Sequence, residues 1–296
     1  MDEQTLQKYK KAGEIAKKIR EYAKEFIKAD MKLVDIAEKI HKKIHELGGE
    51  PAFPVNLSMN DVAAHYHPLK DDETKASGLL KVDIGVHVDG HIADTAVSID
   101  LTPDKKHRKL IEAAELALEN ALKILAKNPT MHELGDVIQK TISSKGFSPV
   151  VNLSGHSIEE YEIHAGLTIP NYGNNNLQTL KPGVYAVEPF ATYGEGKIYE
   201  GKSGNIYSVV KKKNVRSPTA RKILEYVSET YKTLPFSSTE IHERFGALSR
   251  LAIQELEREG ILQSHNQLIE KSHQAVAQAE HTFIKTENGE IIVTTK

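Results

Sequence analysis

Apolar residues recur at spacings of three and four from Leu6 through Tyr9, Ala12, Ile15, Ala16, Ile19 and Ala23 to Phe26 and Ile27, and again from Leu33 through Ile36, Ala37, Ile40 and Ile44 to Leu47. That period puts the apolar side chains on one face of a helix, so two amphipathic helices open the chain and Gly48-Gly49 ends the second. The period then shortens. Between 79 and 100, short β-favouring runs flank Asp89-Gly90, the dipeptide suited to a two-residue type I′ hairpin turn. A second helical pair follows, with Leu110, Ala114, Leu118, Ala121 and Leu125 in one stripe and Leu134, Val137, Ile138 and Ile142 in the next, closed by Gly146. From 147 to 210 the chain is rich in Gly, Asn and Pro, and its main strand candidate is 184–190, introduced by Lys181-Pro182-Gly183. Helical texture returns between about 215 and 270. Strand texture resumes in Thr282-Phe283-Ile284 and Ile291-Ile292-Val293, around another hairpin signal at Asn288-Gly289. Helices in pairs beside hairpins, without regular β-α-β alternation, predict an α+β fold built on a mostly antiparallel sheet.

Composition narrows the chemistry. The 296 residues carry 39 Lys and Arg against 41 Asp and Glu, a formal charge of −2, so no broad basic field draws the chain to nucleic acid. With no cysteine there are no disulfides, thiolate ligands or Cys nucleophiles, and any metal would be held by histidines and carboxylates. The first thirty residues are charged and helix-patterned, and no run of about 18 apolar residues is present to span a bilayer. The expectation is a soluble, cytoplasmic protein with no membrane contact.

Polar residues stand where strands should be dry. If Asp89 and Gly90 form the turn, Val88 faces His91, Gly85 faces Asp94 and Asp83 faces Ala96; strand alternation then puts Asp83, Gly85, Asp94 and Ala96 on one face. Two aspartates that close repel, and a cation would relieve them, although two solvated aspartates on an exposed face give the same pattern. Glu188 sits in the apolar run 184–190, where an unpaired buried carboxylate is costly, and Glu280 repeats the anomaly at the start of the C-terminal strand. Each could equally be a salt-bridged or strand-end residue. His156 and His164 lie in small-residue loops eight positions apart. Four carboxylates with one imidazole offer hard oxygen ligands for two divalent ions, with Mn, Fe(II) or Co favoured and Zn possible, and hydrolysis is the chemistry such a pair serves.

These residues resemble the type 2 methionine aminopeptidases in their short form. The matching stretches are Ala52-Phe53-Pro54-Val55-Asn56-Leu57-Ser58, Ala63-Ala64-His65-Tyr66, Lys81-Val82-Asp83-Ile84-Gly85 with Asp94, Gly155-His156-Ser157-Ile158, Ile163-His164-Ala165-Gly166, Val187-Glu188-Pro189-Phe190, Leu234-Pro235-Phe236 and Ala279-Glu280-His281-Thr282. The resemblance implies a pita-bread fold, with 1–209 and 271–296 as the catalytic domain and 210–270 as an inserted helical, winged-helix-like subdomain. It implies removal of the initiator methionine from nascent polypeptides by a hydroxide bridging two metal ions. Carried over by position, Asp83 is the bidentate ligand of one ion, Asp94 and Glu280 bridge both, and His156 and Glu188 complete the second. Glu188 is also the proton shuttle. His164 matches the histidine that steadies the tetrahedral intermediate, His65 the one on the scissile amide side, and Phe53 and Ile163 line the methionine pocket. One departure is visible, since His265 stands where relatives carry a pocket-wall tyrosine.

Three rivals remain. A prolidase or proline aminopeptidase would use the same five ligands, yet usually carries an additional N-terminal domain; a silent binding protein would have lost ligands, and none is lost. The helix-turn-helix texture of 217–272 suggests DNA, but its small positive charge, clustered in Lys211, Lys212, Lys213 and Arg216, is too little for phosphate affinity. The expected partner is thus a peptide N-terminus, with at most transient docking at the ribosome, and the expected state a monomer.

Overall fold

The computed structural model describes residues 1–211 and 213–296; Lys212, within the basic run, lies outside the described residues. Helices α1 (Glu3–Phe26) and α2 (Leu33–Glu46) form where the first two apolar stripes predict them, α1 being N-capped by the Asp2 side chain on the Thr5 N–H. The first hairpin, strands Leu79–Val88 and His91–Asp100, has the register worked out from its turn: Val88 opposite His91, Gly85 opposite Asp94, Asp83 opposite Ala96. Asp89 and Gly90 take the positive φ values, 49° and 84°, that the turn requires. Val82, Ile84 and Val86 pack into one core with Ile15, Ile19, Ile36 and Ile40, so the helices cover the even-numbered face and Asp83 and Gly85 turn away from them.

A second α-α-sheet unit packs beside the first. Helix α3 (Arg108–Leu125) and helix α4 (Met131–Ser144), the latter opened by a Thr130–Glu133 capping box, lie over a five-stranded sheet. Its order is Ile291–Val293, His281–Lys285, Gly183–Val187, Ser154–Ile158, Thr168–Pro170. Ala114, Leu118, Leu134, Ile138, Val187 and Phe283 share its core. Every strand ladder among the described residues is antiparallel.

Three expectations need correction. Residues 184–190 are two strands rather than one: Gly183–Val187 ends before Glu188, and Phe190–Thr192 belongs to a different sheet, beside Val276–Gln278 and Ser148–Pro149. Pro189 has no N–H to continue a ladder, so the chain changes sheets there. Glu280 likewise precedes its strand, in the gap between Val276–Gln278 and His281–Lys285. Finally, helical structure after 215 stops at 258. Helices α5 (Pro218–Thr230), α6 (Ser238–Phe245) and α7 (Ser249–Arg258) share a separate core of Ala220, Ile223, Val227, Phe236, Ile241, Ala252 and Leu256, but Leu262–Glu270 is a strand. It pairs with Ile198–Val209 along its length and with Val62–Ala64 at its end. Tertiary pairing outweighs the weak local preference of its polar middle, Ser264-His265-Asn266-Gln267.

Candidate active site

The outward face of the first hairpin meets the broken strands of the second unit. Hydroxyls tie them together: the Asp94 N–H donates to Thr282 Oγ1 at 2.7 Å, Thr282 Oγ1 donates back to the Asp94 carbonyl at 2.8 Å, and Thr95 Oγ1 donates to the Glu280 carbonyl at 2.8 Å. Asp94 and Glu280 are thereby held against each other by backbone anchors rather than by mutual attraction. His156, from Ser154–Ile158, brings Nε2 to 3.6 Å from Asp94 Oδ2 and 3.5 Å from Glu188 Oε1. Ligand atoms of Asp94, His156 and Glu280 lie within 4.8 Å of one another. Asp83 and Glu188 join the group through Gln278, whose Nε2 is 3.4 Å from Asp83 Oδ2, 3.5 Å from Glu188 Oε2 and 3.4 Å from Glu280 Oε2.

Four carboxylates brought together in this way cannot all be charged without a cation. Burial first, and the neighbouring acids second, push Asp83, Glu188 and Glu280 well above the usual carboxylate range. Burial alone is the main cause that raises Asp94, to about 7. Asp83 Oδ1, Asp94 Oδ1 and Glu280 Oε1 are buried with no hydrogen-bond partner. Orphaned acidic oxygens converging with an imidazole nitrogen fit a divalent metal ion, which would replace the protons that these carboxyls otherwise hold.

This cluster floors a cavity of about 290 Å³. Each site residue expected from the sequence lines it: Phe53, His65, Asp83, Asp94, His156, Ile163, His164, Glu188 and Glu280. Gly85 is required beneath Phe53, because a Cβ there would collide with the ring, so an aromatic lies on the sheet face that carries Asp83 and Asp94. Part of the remaining wall is imidazole. His164 meets the His156 ring edge-on with centroids 4.5 Å apart, and His65 meets His265 edge-on at 5.7 Å. His65 adopts φ 65°, pressed against Gly204, where a Cβ would collide with the His65 carbonyl oxygen. His265 Nε2 is 2.7 Å from Ser208 Oγ, so this ring is anchored on the long strand Ile198–Val209. Burial lowers His65 and His164 to about 3 and His156 to about 4, which keeps these rings neutral at ordinary pH.

Gln278 escaped the sequence reading. The signal was present in Val276-Ala277-Gln278-Ala279, a polar residue inside an apolar strand, the same anomaly that marks Glu188 and Glu280.

Comparison with known proteins agrees with this geometry. The model of metallopeptidase family M24 matches residues 7–216. A methionine aminopeptidase of Methanocaldococcus jannaschii is 42% identical, over 100% of both chains. Among solved structures, a thermophilic Arx1 superposes with a TM-score of 0.82 at 18% identity, covering 99% of this chain and 91% of that one. A methionine aminopeptidase from Rickettsia prowazekii gives 0.70 at 19%, covering 100% and 98%. At such identities the structural matches speak for the fold alone, which is the pita-bread fold. Family match, full-length identity and a buried ligand cluster together place the chain in metallopeptidase family M24, among its methionine aminopeptidases, metal-dependent hydrolases of peptide N-termini.

Proposed function

We propose that the chain removes the initiator methionine from nascent polypeptides, acting as a cytoplasmic monomer with two divalent ions held by Asp83, Asp94, His156, Glu188 and Glu280. The observation that carries this reading is the convergence of four carboxylates, two buried and two partly buried, and one buried histidine at the floor of a largely apolar cavity. When bound, Co, Mn, Fe(II) or Zn supplies Lewis-acid polarisation of the scissile carbonyl and acidifies the attacking water. The protein's own groups do the rest. Phe53 and Ile163 grip the methionine side chain, an apolar slot that suits a thioether. Glu188 takes the proton of the attacking water and delivers it to the leaving amine. Neutral His164 steadies the oxygen of the tetrahedral intermediate, and neutral His65 contacts the scissile amide. Residues 1–209 and 271–296 make up the catalytic domain, and 210–270 the insertion. That insertion has its own core, and its last strand contributes His265 to the cavity wall.

The test is free-methionine release from Met-Gly-Met-Met, set beside hydrolysis of Xaa-Pro-Gly, by metal-stripped protein to which Mn, Fe(II), Co or Zn is returned without oxygen. Metal-dependent cleavage of the methionine peptide, with none of its N-acetylated form, is the expected result. Preferential cleavage before proline would make the protein a prolidase. Silence with every ion would make it a binding protein on an enzyme's scaffold.

A further inference from the structure

Gln278 ends the strand Val276–Gln278 and is 1% exposed. Its main chain is held from two directions. Phe190 pairs with it across one ladder, and on the other side Ser98 Oγ lies 2.8 Å from both its N–H and its carbonyl oxygen. With the backbone pinned, the side chain projects into the one place where the first hairpin, the break after Gly183–Val187 and the break before His281–Lys285 converge. There a single amide nitrogen is shared among Asp83, Glu188 and Glu280, at 3.4, 3.5 and 3.4 Å. These distances are longer than a good two-centre bond, as they must be for two hydrogens placed between three oxygens. The amide oxygen, Oε1, is buried without a partner, so nothing else pulls the group into this orientation.

Residue type matters at such a point. A lysine or arginine would neutralise the acids permanently and compete with a divalent ion; a glutamate would add a fifth repelling carboxyl; an apolar side chain would leave the oxygens unsupported. A primary amide donates N–H bonds with no charge and no titration of its own. We propose that Gln278 is the positioning residue of the metal centre, its amide spacing Asp83, Glu188 and Glu280 so that metal ions meet ligands already arranged. The three carboxylates it touches include one assigned to each ion and one that bridges them, so Gln278 couples the two ion sites. This inference rests on the metal-site assignment proposed above.

The test uses the full chain, stripped of metal and titrated with Mn(II) by equilibrium dialysis, with the visible absorption of Co(II) as a second readout of ligand geometry. Gln278→Met keeps length and volume and deletes both N–H donors. It is expected to bind Mn(II) roughly 10–100-fold more weakly, the usual loss when a group supporting a ligand is removed. Its Co(II) absorption should also change, which a merely structural role would not produce in a protein that still melts cooperatively. Wild-type Mn(II) affinity and an unchanged Co(II) band in that variant would overturn the proposal. Should Gln278→Met fail to fold, Gln278→Asn, which keeps the amide but withdraws it by one methylene, is expected to weaken Mn(II) in the same direction, and wild-type affinity there would overturn it equally. A wild-type chain that bound no Mn(II) would remove the metal centre itself, an outcome distinct from normal binding by the variants.

Discussion

The floor and the wall of the cavity touch through the edge-on contact of His156 and His164; the floor is the more deeply buried, with His65 and His265 half-buried and His164 exposed, and desolvation moves the two in opposite directions. On the floor it raises Asp83, Asp94, Glu188 and Glu280 toward the protonated form; on the wall it lowers His65, His164 and His265 toward the unprotonated form. Each end of the cavity is driven to neutrality. The difference is that the floor holds orphaned oxygens suited to a cation, whereas His265 on the wall has its own neutral partner in Ser208. A site of this kind changes charge at one end only. The floor ionises when metal arrives, and the wall stays a set of neutral donors and acceptors around the substrate.

The harshest way to break the comparison is to remove one floor ligand. Asp94→Ala or Glu280→Ala is expected to lose bound metal and methionine release together, with a fall in activity well beyond the roughly 10–100-fold typical of a partner that only supports a ligand. Metal content by atomic absorption, measured beside turnover, checks this; a variant retaining both would show that the bridging role lies elsewhere. Removing a wall residue should separate the two quantities. His164→Ala is expected to keep its full complement of metal while kcat drops by about 10²–10³, the range for deleting one group that stabilises a developing oxyanion. Loss of metal in that variant would move His164 from the wall to the floor.

The same division governs how much could be read from the sequence. Asp83 and Asp94 sit on unbroken strands joined by a two-residue turn, so their common face follows from the turn and the period of two, and the register agrees at every pair. The helical pairs were equally plain, because their apolar stripes carry the packing. Glu188 and Glu280 gave only an anomaly. Their positions depend on where one sheet hands the chain to another, which Pro189 hints at but no local pattern fixes. Gln278 shows the same polar residue in an apolar run, but an uncharged amide is a weaker signal than a carboxylate and gains its meaning only from the three carboxylates around it. The strand Leu262–Glu270 was missed because its pairing partner lies more than fifty residues away in the sequence.

A milder perturbation leaves the ligands intact and varies pH. The metal-free floor binds protons at pH 6.5, since Asp94 titrates near 7 and the other acids also lie above the ordinary range, whereas the loaded floor does not. Metal binding must therefore expel protons, and affinity should climb by about tenfold per pH unit for each proton displaced, flattening above pH 7 as far as Asp94 is concerned. Calorimetric Mn(II) titrations in two buffers of different ionisation enthalpy at pH 6.5 count those protons. Affinity that did not change between pH 5.5 and 7 would mean that the empty floor is already ionised, and the contrast with the wall would vanish.

The smallest effect concerns stability without metal, and there the two ends oppose each other. For His65, a folded value near 3 against an ordinary 6.5 means that the unfolded chain takes up a proton that the folded one refuses; its contribution is complete above pH 6.5 and is lost as pH falls toward 3. For Asp94 the sign reverses: its folded value of about 7 exceeds the ordinary 3.8, so the folded state keeps a proton that the unfolded chain releases, and stability drops as pH rises from 4 through 7. Asp94→Asn removes that liability while nearly preserving shape. The metal-free variant should melt at the same temperature as the wild type near pH 4 and several degrees above it at pH 7.5, since about 1 kcal/mol corresponds to roughly 2–4 °C in large domains. The gap should open between those two pH values, where the carboxyl would have been forced to ionise. Scanning calorimetry of both proteins in chelator across that range decides the matter. A constant offset at every pH would assign the difference to packing, and no offset would show that the empty floor carries no electrostatic strain for a metal to relieve.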